Sequence, residues 1–580
     1  MSLRTLIPIL LVLLLAAPNV FQVEINQRSQ STPWEIRLMW VEYEDFGGTD
    51  VFTQIMISDD EVFFSGASFV DNHSYSVFSR YSSSGEHFWS MSRTMGEILG
   101  YDIGYLITSV GPRNFRVMNV VPDGNIVLVH TKSEVVKYQQ NSTEFTVTEF
   151  NTSISIVDRE DGSLLREFEY GVRGVWEYPM AIIVRGNNLI IIVYEIDYMN
   201  QFGLNITFLE FSSNLELISR KTVSIFNESA MLYNAYVDEN YVYVVGTYLN
   251  EWRGFVAKIS LEGTLMWKYL FDNYNIVVDV DVDENGNIYV CGTYMEFLGT
   301  SGEGFIAKLT PDGDLIWLRN PTNSEIYFDV IYYSGEIFVV AGNYSVFTYE
   351  NETISHTIVM PTVTYVLCVD ADGNMLWTWE EHGEENGTIE PVGGFIDRLG
   401  RLIYAFDIIG VNAKEMTLSA RGAKVLRFGP NGMLYDVRTD ITEYDETIFN
   451  IIGNETSIYV CGLANRTGEI DAFVAKLGLA DRDMDGLPDS DETLYYGTDI
   501  GDSDTDDDGL SDGEECILGT DPKNPDTDGD GALDGEEVRS GTDPLDPNSR
   551  PPRAGYGLII GTAIILIMII TLLVILLRRR

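Results

Sequence analysis

The chain has 580 residues, 88 acidic and 37 basic, for a formal net charge of −51. A charge of that sign and size repels phosphate backbones, excludes nucleic acid as a partner and favours cations. Four cysteines (Cys291, Cys368, Cys461 and Cys516) are too few to staple an extracellular domain with disulfides.

Residues 1–20 read as a signal peptide. Arg4 supplies a basic start, Leu6 to Ala17 is almost wholly apolar, and the small pair Ala16-Ala17 suits a signal peptidase. Cleaved or kept as an anchor, such a segment directs the downstream chain out of the cytoplasm.

Residues 34–479 repeat. One copy begins at Asp238 (DENYVYVVGTYLNEWRGFVAKISLEGTLMWKYLF) and another at Asp283 (DENGNIYVCGTYMEFLGTSGEGFIAKLTPDGDLIWLRN). Each has a polar turn, a β-rich run ending near Gly, and a second run ending in Lys. A Gly turn and a third run bearing Trp complete the unit. Alternation of period two marks the runs as strands, with Phe305, Ala307 and Leu309 on one face, and Pro311–Gly313 is a hairpin signal. Trp89, Trp267, Trp317 and Trp377 come after such turns and are read as packing residues between repeats. The first run recurs near Val62, Ile126, Leu189, Val242, Ile288, Ile337, Leu402 and Ile458. Cys291 and Cys461 lie in matching runs, IYVCGTY and IYVCGLA, and read as small core residues.

Four short strands at this period predict an all-β, eight-bladed β-propeller, with seven blades as the alternative count. The last copy ends at AFVAKLGLADRDMDG without its Trp-bearing strand. Ile36-Arg-Leu-Met-Trp40-Val-Glu-Tyr43 has that missing character. Residues 35–43 are therefore expected to supply the outermost strand of the last blade and close the ring.

The units GFVAKIS…GTLMWKYLF and GFIAKLTPDGDLIWLRN resemble the SBBP class of β-propeller repeats, most closely over residues 230–320. That resemblance implies a propeller scaffold on a surface protein and no fixed activity. Long insertions at Tyr344–Pro361, Glu380–Pro391 and Val411–Ala420 are expected to be contact surfaces. Ten Asn-x-Ser/Thr sequons begin at Asn72, Asn141, Asn151, Asn205, Asn227, Asn343, Asn351, Asn386, Asn454 and Asn465, where a glycosylating host would attach sugar.

Residues 480–547 change composition abruptly. Three 12-residue stretches, DRDMDGLPDSDE, DTDDDGLSDGEE and DTDGDGALDGEE, place acids at positions 1, 3, 5, 9 and 12 and Gly at 6. Calcium takes six to eight oxygens, and this spacing wraps one ion, with Gly permitting the sharp turn. The expected ligands of the first loop are Asp481, Asp483, Asp485, the Leu487 carbonyl, Asp489 and Glu492. In the second they are Asp504, Asp506, Asp508, the Leu510 carbonyl, Asp512 and Glu515. The third offers Asp526, Asp528, Asp530, the Ala532 carbonyl, Asp534 and Glu537. A short helix is expected to begin at each Glu pair and to end at Gly497, Gly519 or Gly541. With GTDP next in the chain, the segment is similar to thrombospondin type 3 repeats, which implies a calcium-built rod with little hydrophobic core.

A linker (548–554) leads to Gly555–Leu577, an uncharged run long enough to span a bilayer as one helix. Arg578, Arg579 and Arg580 then mark the cytoplasmic side, which leaves most of the chain outside the cell. The function expected is surface binding or adhesion, with an extracellular protein or glycan as the partner. The alternative is a propeller enzyme. The Gly-x-Leu-x-Trp ends are also similar to quinoprotein dehydrogenases, but no two cysteines here are adjacent. His73, His87, His130, His356 and His382 lack metal-ligand spacing, and no Gly-x-Ser-x-Gly elbow occurs. A glycosidase needs only two carboxylates, and a chain with 88 acids leaves that pair open.

Overall fold

The computed structural model describes residues 36–551, except 71–72, 98–117, 141–142, 200–201, 296–301, 351–354, 383–386, 413–416, 431, 440, 455 and 467–468. The expected signal peptide and the apolar run 555–577 lie outside these residues. Among the described residues, no helix is long and apolar enough to cross a membrane. The chain divides after Ala480 into two units.

The first unit is all-β and propeller-like. Its strands form eight antiparallel groups of four, each ordered along the chain except the last. We number these sheets one to eight. Sheets three and four share the strand Leu217–Val237, whose first half pairs with Gly203–Ser212 and whose second half pairs with Tyr241–Tyr248. The eight apolar runs recognised in the sequence supply the second strand of each successive sheet. Val62, Ile126, Leu189, Val242, Ile288, Ile337, Leu402 and Ile458 are all fully buried there. A four-stranded sheet exposes two faces, and each face here is covered by the next sheet. Val245, Val256 and Phe271 of sheet four, for example, share a core with Val277, Ile288, Val290 and Phe305 of sheet five.

Sheet eight draws its fourth strand from the other end of the unit. Arg37–Glu44 pairs antiparallel with Glu469–Gly478, from Arg37↔Gly478 to Glu44↔Ala472. The face of sheet eight then packs on sheet one, where Tyr459, Cys461, Ala472 and Val474 meet Phe52, Val62, Phe64, Val77 and Tyr81. Among the described residues, no sheet closes on itself. Cys291, Cys368 and Cys461 are buried thiols, and all four cysteines are free.

One polar contact recurs between neighbouring sheets. The indole N–H of Trp267 donates to the Pro311 carbonyl (3.0 Å) in a turn of the next sheet. Its cross-strand partner, Lys258, donates to the same oxygen (3.2 Å). Trp317 and Lys308 converge likewise on the Ala371 carbonyl, at 3.1 and 3.3 Å. Trp89 and Arg80 share the Arg159 carbonyl. At the seam, Trp40 and Lys476 share the Ser83 carbonyl, at 3.3 and 3.0 Å. Trp377 donates to Pro430 without a basic partner (3.1 Å). Between sheets three and four, Lys221 alone donates to the Glu262 carbonyl (2.7 Å). The turn must present its backbone to a flat ring. At Gly313, with φ +90°, an added Cβ would lie 2.6 Å from the Trp267 indole.

The insertions are strands rather than loops where they are described. Tyr344–Glu350 pairs with Ser355–Pro361, extending one hairpin of sheet six. Val411 and Asn412 pair with Leu418 and Thr417 to extend sheet seven. Their alternating Val, Thr, Tyr and Ile residues favour paired backbone over an irregular loop. Among the described sequons, Asn227 and Asn454 have exposed side chains.

Substitution separates ring packing from the hydrogen bond. Trp317→Ala should destabilise the unit by about 3–5 kcal/mol. Trp317→Phe, which keeps an aromatic ring and loses the donor, should cost about 1 kcal/mol. Urea unfolding followed by tryptophan fluorescence measures both.

Candidate metal centres and the central cavity

The second unit has almost no apolar interior. Among its described residues, the buried hydrophobic side chains are Leu487 and Leu510, at position 7 of the first two loops. Buried carboxylates take their place: Asp489, Asp491, Glu492, Asp508, Asp512, Glu515, Asp530, Asp534 and Glu537. Unpaired buried charge is costly, so such a unit needs a counter-charge.

The loops bring these acids together. Ligand oxygens of Asp481, Asp483 and Asp485 lie within 4.8 Å of one another, as do those of Asp504, Asp506 and Asp508, and of Asp526, Asp528 and Asp530. Position 1 also organises the backbone. Asp504 accepts from the amides of Asp508 (3.1 Å) and Gly509 (2.9 Å), and Asp526 from those of Asp530 (3.0 Å) and Gly531 (2.9 Å). Position 9 locks the start of each loop: Asp489, Asp512 and Asp534 accept from the amides of Arg482, Thr505 and Thr527.

Several buried oxygens are left without a hydrogen-bond partner. They are both carboxylate oxygens of Asp483 and Glu537, and one each of Glu492, Asp506, Glu515 and Asp528. Position 3 and position 12 acids thus keep lone pairs free inside every loop. Oxygens within 4.8 Å of one another can share an ion whose bonds are about 2.3–2.6 Å. The donor set is hard, anionic and oxygen-only, which fits calcium. The position 7 carbonyls of Leu487, Leu510 and Ala532 belong to the same loops.

Burial and mutual repulsion act on these acids. Glu492 and Glu515 are pushed up to about 8, first by burial and then by the Asp residues at positions 3 and 5. Asp485 and Asp506 rise to about 6, again chiefly by burial.

Successive repeats are coupled through position 5. Asp485 accepts from the Gly513 amide (3.0 Å) and Asp508 from the Gly535 amide (2.7 Å). A Cβ at Gly513 would lie 2.5 Å from the Asp485 carbonyl, so this close stacking needs glycine. The first repeat, with no calcium loop before it, carries Ser490 at the matching position. In the third, Arg550 Nε lies 2.7 Å from Asp530 Oδ2, where a fourth repeat would otherwise donate.

The helices start earlier than expected. They span Asp512–Leu518 and Asp534–Ser540, beginning at position 9 rather than at the Glu pair. Ser511 sets one start through a capping box with Glu514. The first repeat has only Asp489–Asp491 continued by a π-turn, Glu492–Tyr496. Gly497, Gly519 and Gly541 end the three segments in the left-handed conformation, as their place in the sequence implied.

The first unit encloses a cavity of about 1200 Å³, lined by the first strand of all eight sheets. Asp279, Asp281 and Asp329 border it, but backbone and side-chain donors occupy them. Asp279 accepts from Asn234 Nδ2 (2.6 Å) and the Val330 amide (2.9 Å). Asp281 accepts from the Tyr332 amide (2.7 Å), and Asp329 from the Tyr404 hydroxyl (2.9 Å). Burial, then the adjacent Asp329, raises Asp279 well above the usual carboxylate range, and burial raises Asp281 to about 7. These acids do not stand out in the sequence. The signal is that Asp279 and Asp329, like Asn234 and Asn450, fall just after the irregularity in four of the first strands, whereas Asp281 lies two residues further on.

The bacterial TSP3 repeat family matches residues 504–525 and 526–547, which covers the second and third loops. No curated protein matches the sequence. Among solved structures, the chain is similar to Sqt1 from Chaetomium thermophilum, at 9% identity and TM-score 0.42, over 76% of this chain and 98% of that one. It is also similar to the WD40 domain of SCAP from fission yeast, at 8% identity and TM-score 0.36, over 78% and 97%. For the acylaminoacyl peptidase of Pyrococcus horikoshii the values are 10% and 0.33, over 71% and 57%. The propeller-like fold itself rests on the strand pairing.

A carboxyl held above its ordinary value favours the metal-free fold while protonated. That contribution is present in acid and is lost as the pH climbs through about 6 for Asp485 and Asp506 and about 8 for Glu492 and Glu515. Calcium must displace the same protons. Its half-saturation concentration should therefore rise as pH falls from 8 to 6, with protons released on binding. Calorimetry in buffers of different ionisation enthalpy reads both effects. Gly535→Ala should weaken calcium binding at the second loop as well as the third, which terbium displacement by calcium would register.

Proposed function

We propose that this chain is a cell-surface binding or adhesion protein. In this reading an eight-bladed propeller, closed by its N-terminal strand, is held by a calcium-stiffened connector and anchored by the single apolar span 555–577. The observation that carries it is the set of orphaned buried carboxylate oxygens in three consecutive loops. A divalent cation supplies what those oxygens lack and replaces an apolar core. The ligand set is the one expected from the spacing: Asp481 to Glu492, Asp504 to Glu515 and Asp526 to Glu537.

The partner is an extracellular protein or glycan, and the protein is a glycoprotein with its large N-terminal part outside the cell. Binding is favoured over catalysis because Asp279, Asp281 and Asp329 are committed to inter-sheet hydrogen bonds. A glycosidase-like or quinoprotein-like reading would need such acids free to meet a substrate.

The test uses residues 21–550 as a secreted protein. Glycan and surface-protein arrays should give saturable binding without turnover of the bound ligand. Chelation should lengthen the scattering profile and open residues 481–547 to protease. Cleavage of an arrayed substrate that Asp281→Asn abolishes would overturn the non-catalytic reading. Equal protease resistance with and without calcium would overturn the connector.

A further inference from the structure

A fourth acidic cluster lies in the first unit, outside the calcium loops. Ligand oxygens of Asp45, Asp50 and Asp471 fall within 4.8 Å of one another. The three come from different elements. Asp45 follows the N-terminal strand Arg37–Glu44, Asp50 is the second residue of Thr49–Ser58 in sheet one, and Asp471 lies in Glu469–Gly478 of sheet eight. Glu44 pairs with Ala472, so the same register carries Asp45 to a place opposite Asp471. The link between the two strands, Asp45 to Gly48, crosses from the outer edge of sheet eight to the first strand of sheet one.

Asp50 points to a ligand independently of this clustering. Its side chain is 0% exposed, and its Oδ1 has no hydrogen-bond partner. Its other oxygen accepts from the Phe46 amide (2.7 Å). Ser68, its cross-strand neighbour, is equally buried, and its hydroxyl faces Asp50 and tempers the rise that burial imposes on that carboxyl. Asp471 is 6% exposed, and Asp45 accepts from the Gly47 amide (2.7 Å). Among the described residues, one cation answers the cluster: Arg466 Nη1 lies 3.3 Å from Asp471 Oδ2. That guanidinium is also drawn over the Tyr43 ring, 4.4 Å from its centroid. Three carboxylates against one arginine leave excess negative charge in a largely buried place, where burial and mutual repulsion raise both Asp50 and Asp471.

We propose that Asp45, Asp50 and Asp471 bind a divalent cation, calcium by the hardness of the donors, which ties the N-terminal strand to sheets one and eight. Oxygens within 4.8 Å can share one ion with bonds of about 2.3–2.6 Å. Ser68 Oγ stands beside Asp50 as a further oxygen. The ion clamps the seam at which the first and last sheets meet. This inference is independent of the calcium loops and of the proposed surface role.

The experiment uses the full chain in detergent with calcium as the probe. A background carrying Asp483→Asn, Asp506→Asn and Asp528→Asn disables the loops, so residual binding reports the seam. Native mass spectrometry of that background should retain one calcium, which Asp45→Asn removes. Asp45 is exposed, so this change should leave the far-ultraviolet spectrum intact. In the wild-type loops, hydrogen exchange at residues 37–44 and 469–478 should slow at least tenfold on adding calcium. Asp45→Asn should abolish that slowing, while protection at 481–547 still responds to calcium. Equal ion counts with and without Asp45→Asn would overturn the proposal. Seam protection that responds to pH and not to calcium would also overturn it, because the cluster would then hold only a proton.

Discussion

At four junctions of the first unit, a backbone carbonyl in one sheet is gripped by a tryptophan and a basic side chain from the sheet before it. Strand pairing stabilises each sheet from within and does nothing to hold one sheet against the next. Apolar packing covers the faces but is non-directional. The shared carbonyl adds direction, since it can be reached only when the turn and the outer strand stand in one register. Lys258 and Lys476 are held below the usual lysine range by burial, so their charge is partly desolvated at these contacts. A charge-assisted bond in that setting is stronger than one in water. The same device at Trp40 and Lys476 makes the N-terminal strand an ordinary member of the series.

The second unit solves a different problem. A short segment with two buried apolar side chains cannot offset the entropy of ordering its backbone. Its carboxylates, turned inward, make matters worse until a cation arrives. A bound cation would make each loop a small ionic core, and position 5 already joins each repeat to the next through a single amide. Ser490 and Arg550 mark the two ends of that chain of contacts, one where no loop precedes and one where none comes after.

Acids in the first unit fall into two kinds. Those around the cavity, Asp279, Asp281 and Asp329, have donors in place and bind neighbouring sheets together. At the seam, Asp50 has an oxygen with none. The distinction lies in the partners, since all are Asp in or beside strands.

Much of this was legible in the sequence. Period-two alternation, the recurring Gly turns and the spacing of Trp and Lys marked the repeats, because a strand's two faces and a tight turn leave local signatures. The calcium loops were legible for the same reason, since all ligands of one ion lie within twelve residues. The sequence also showed which end lacked a strand, which pointed to residues 35–43. Beyond that strand, it did not show which residues far apart in the chain touch. That Lys308 and Trp317 seek one carbonyl at Ala371, or that Asp45 and Asp471 stand side by side, depends on which sheet faces which. Two of the insertions became hairpin extensions for a related reason, because pairing is decided by the partner strand and not by the segment alone. Local chemistry is written in neighbouring residues, whereas the seam and the cavity exist only once the sheets have been brought together.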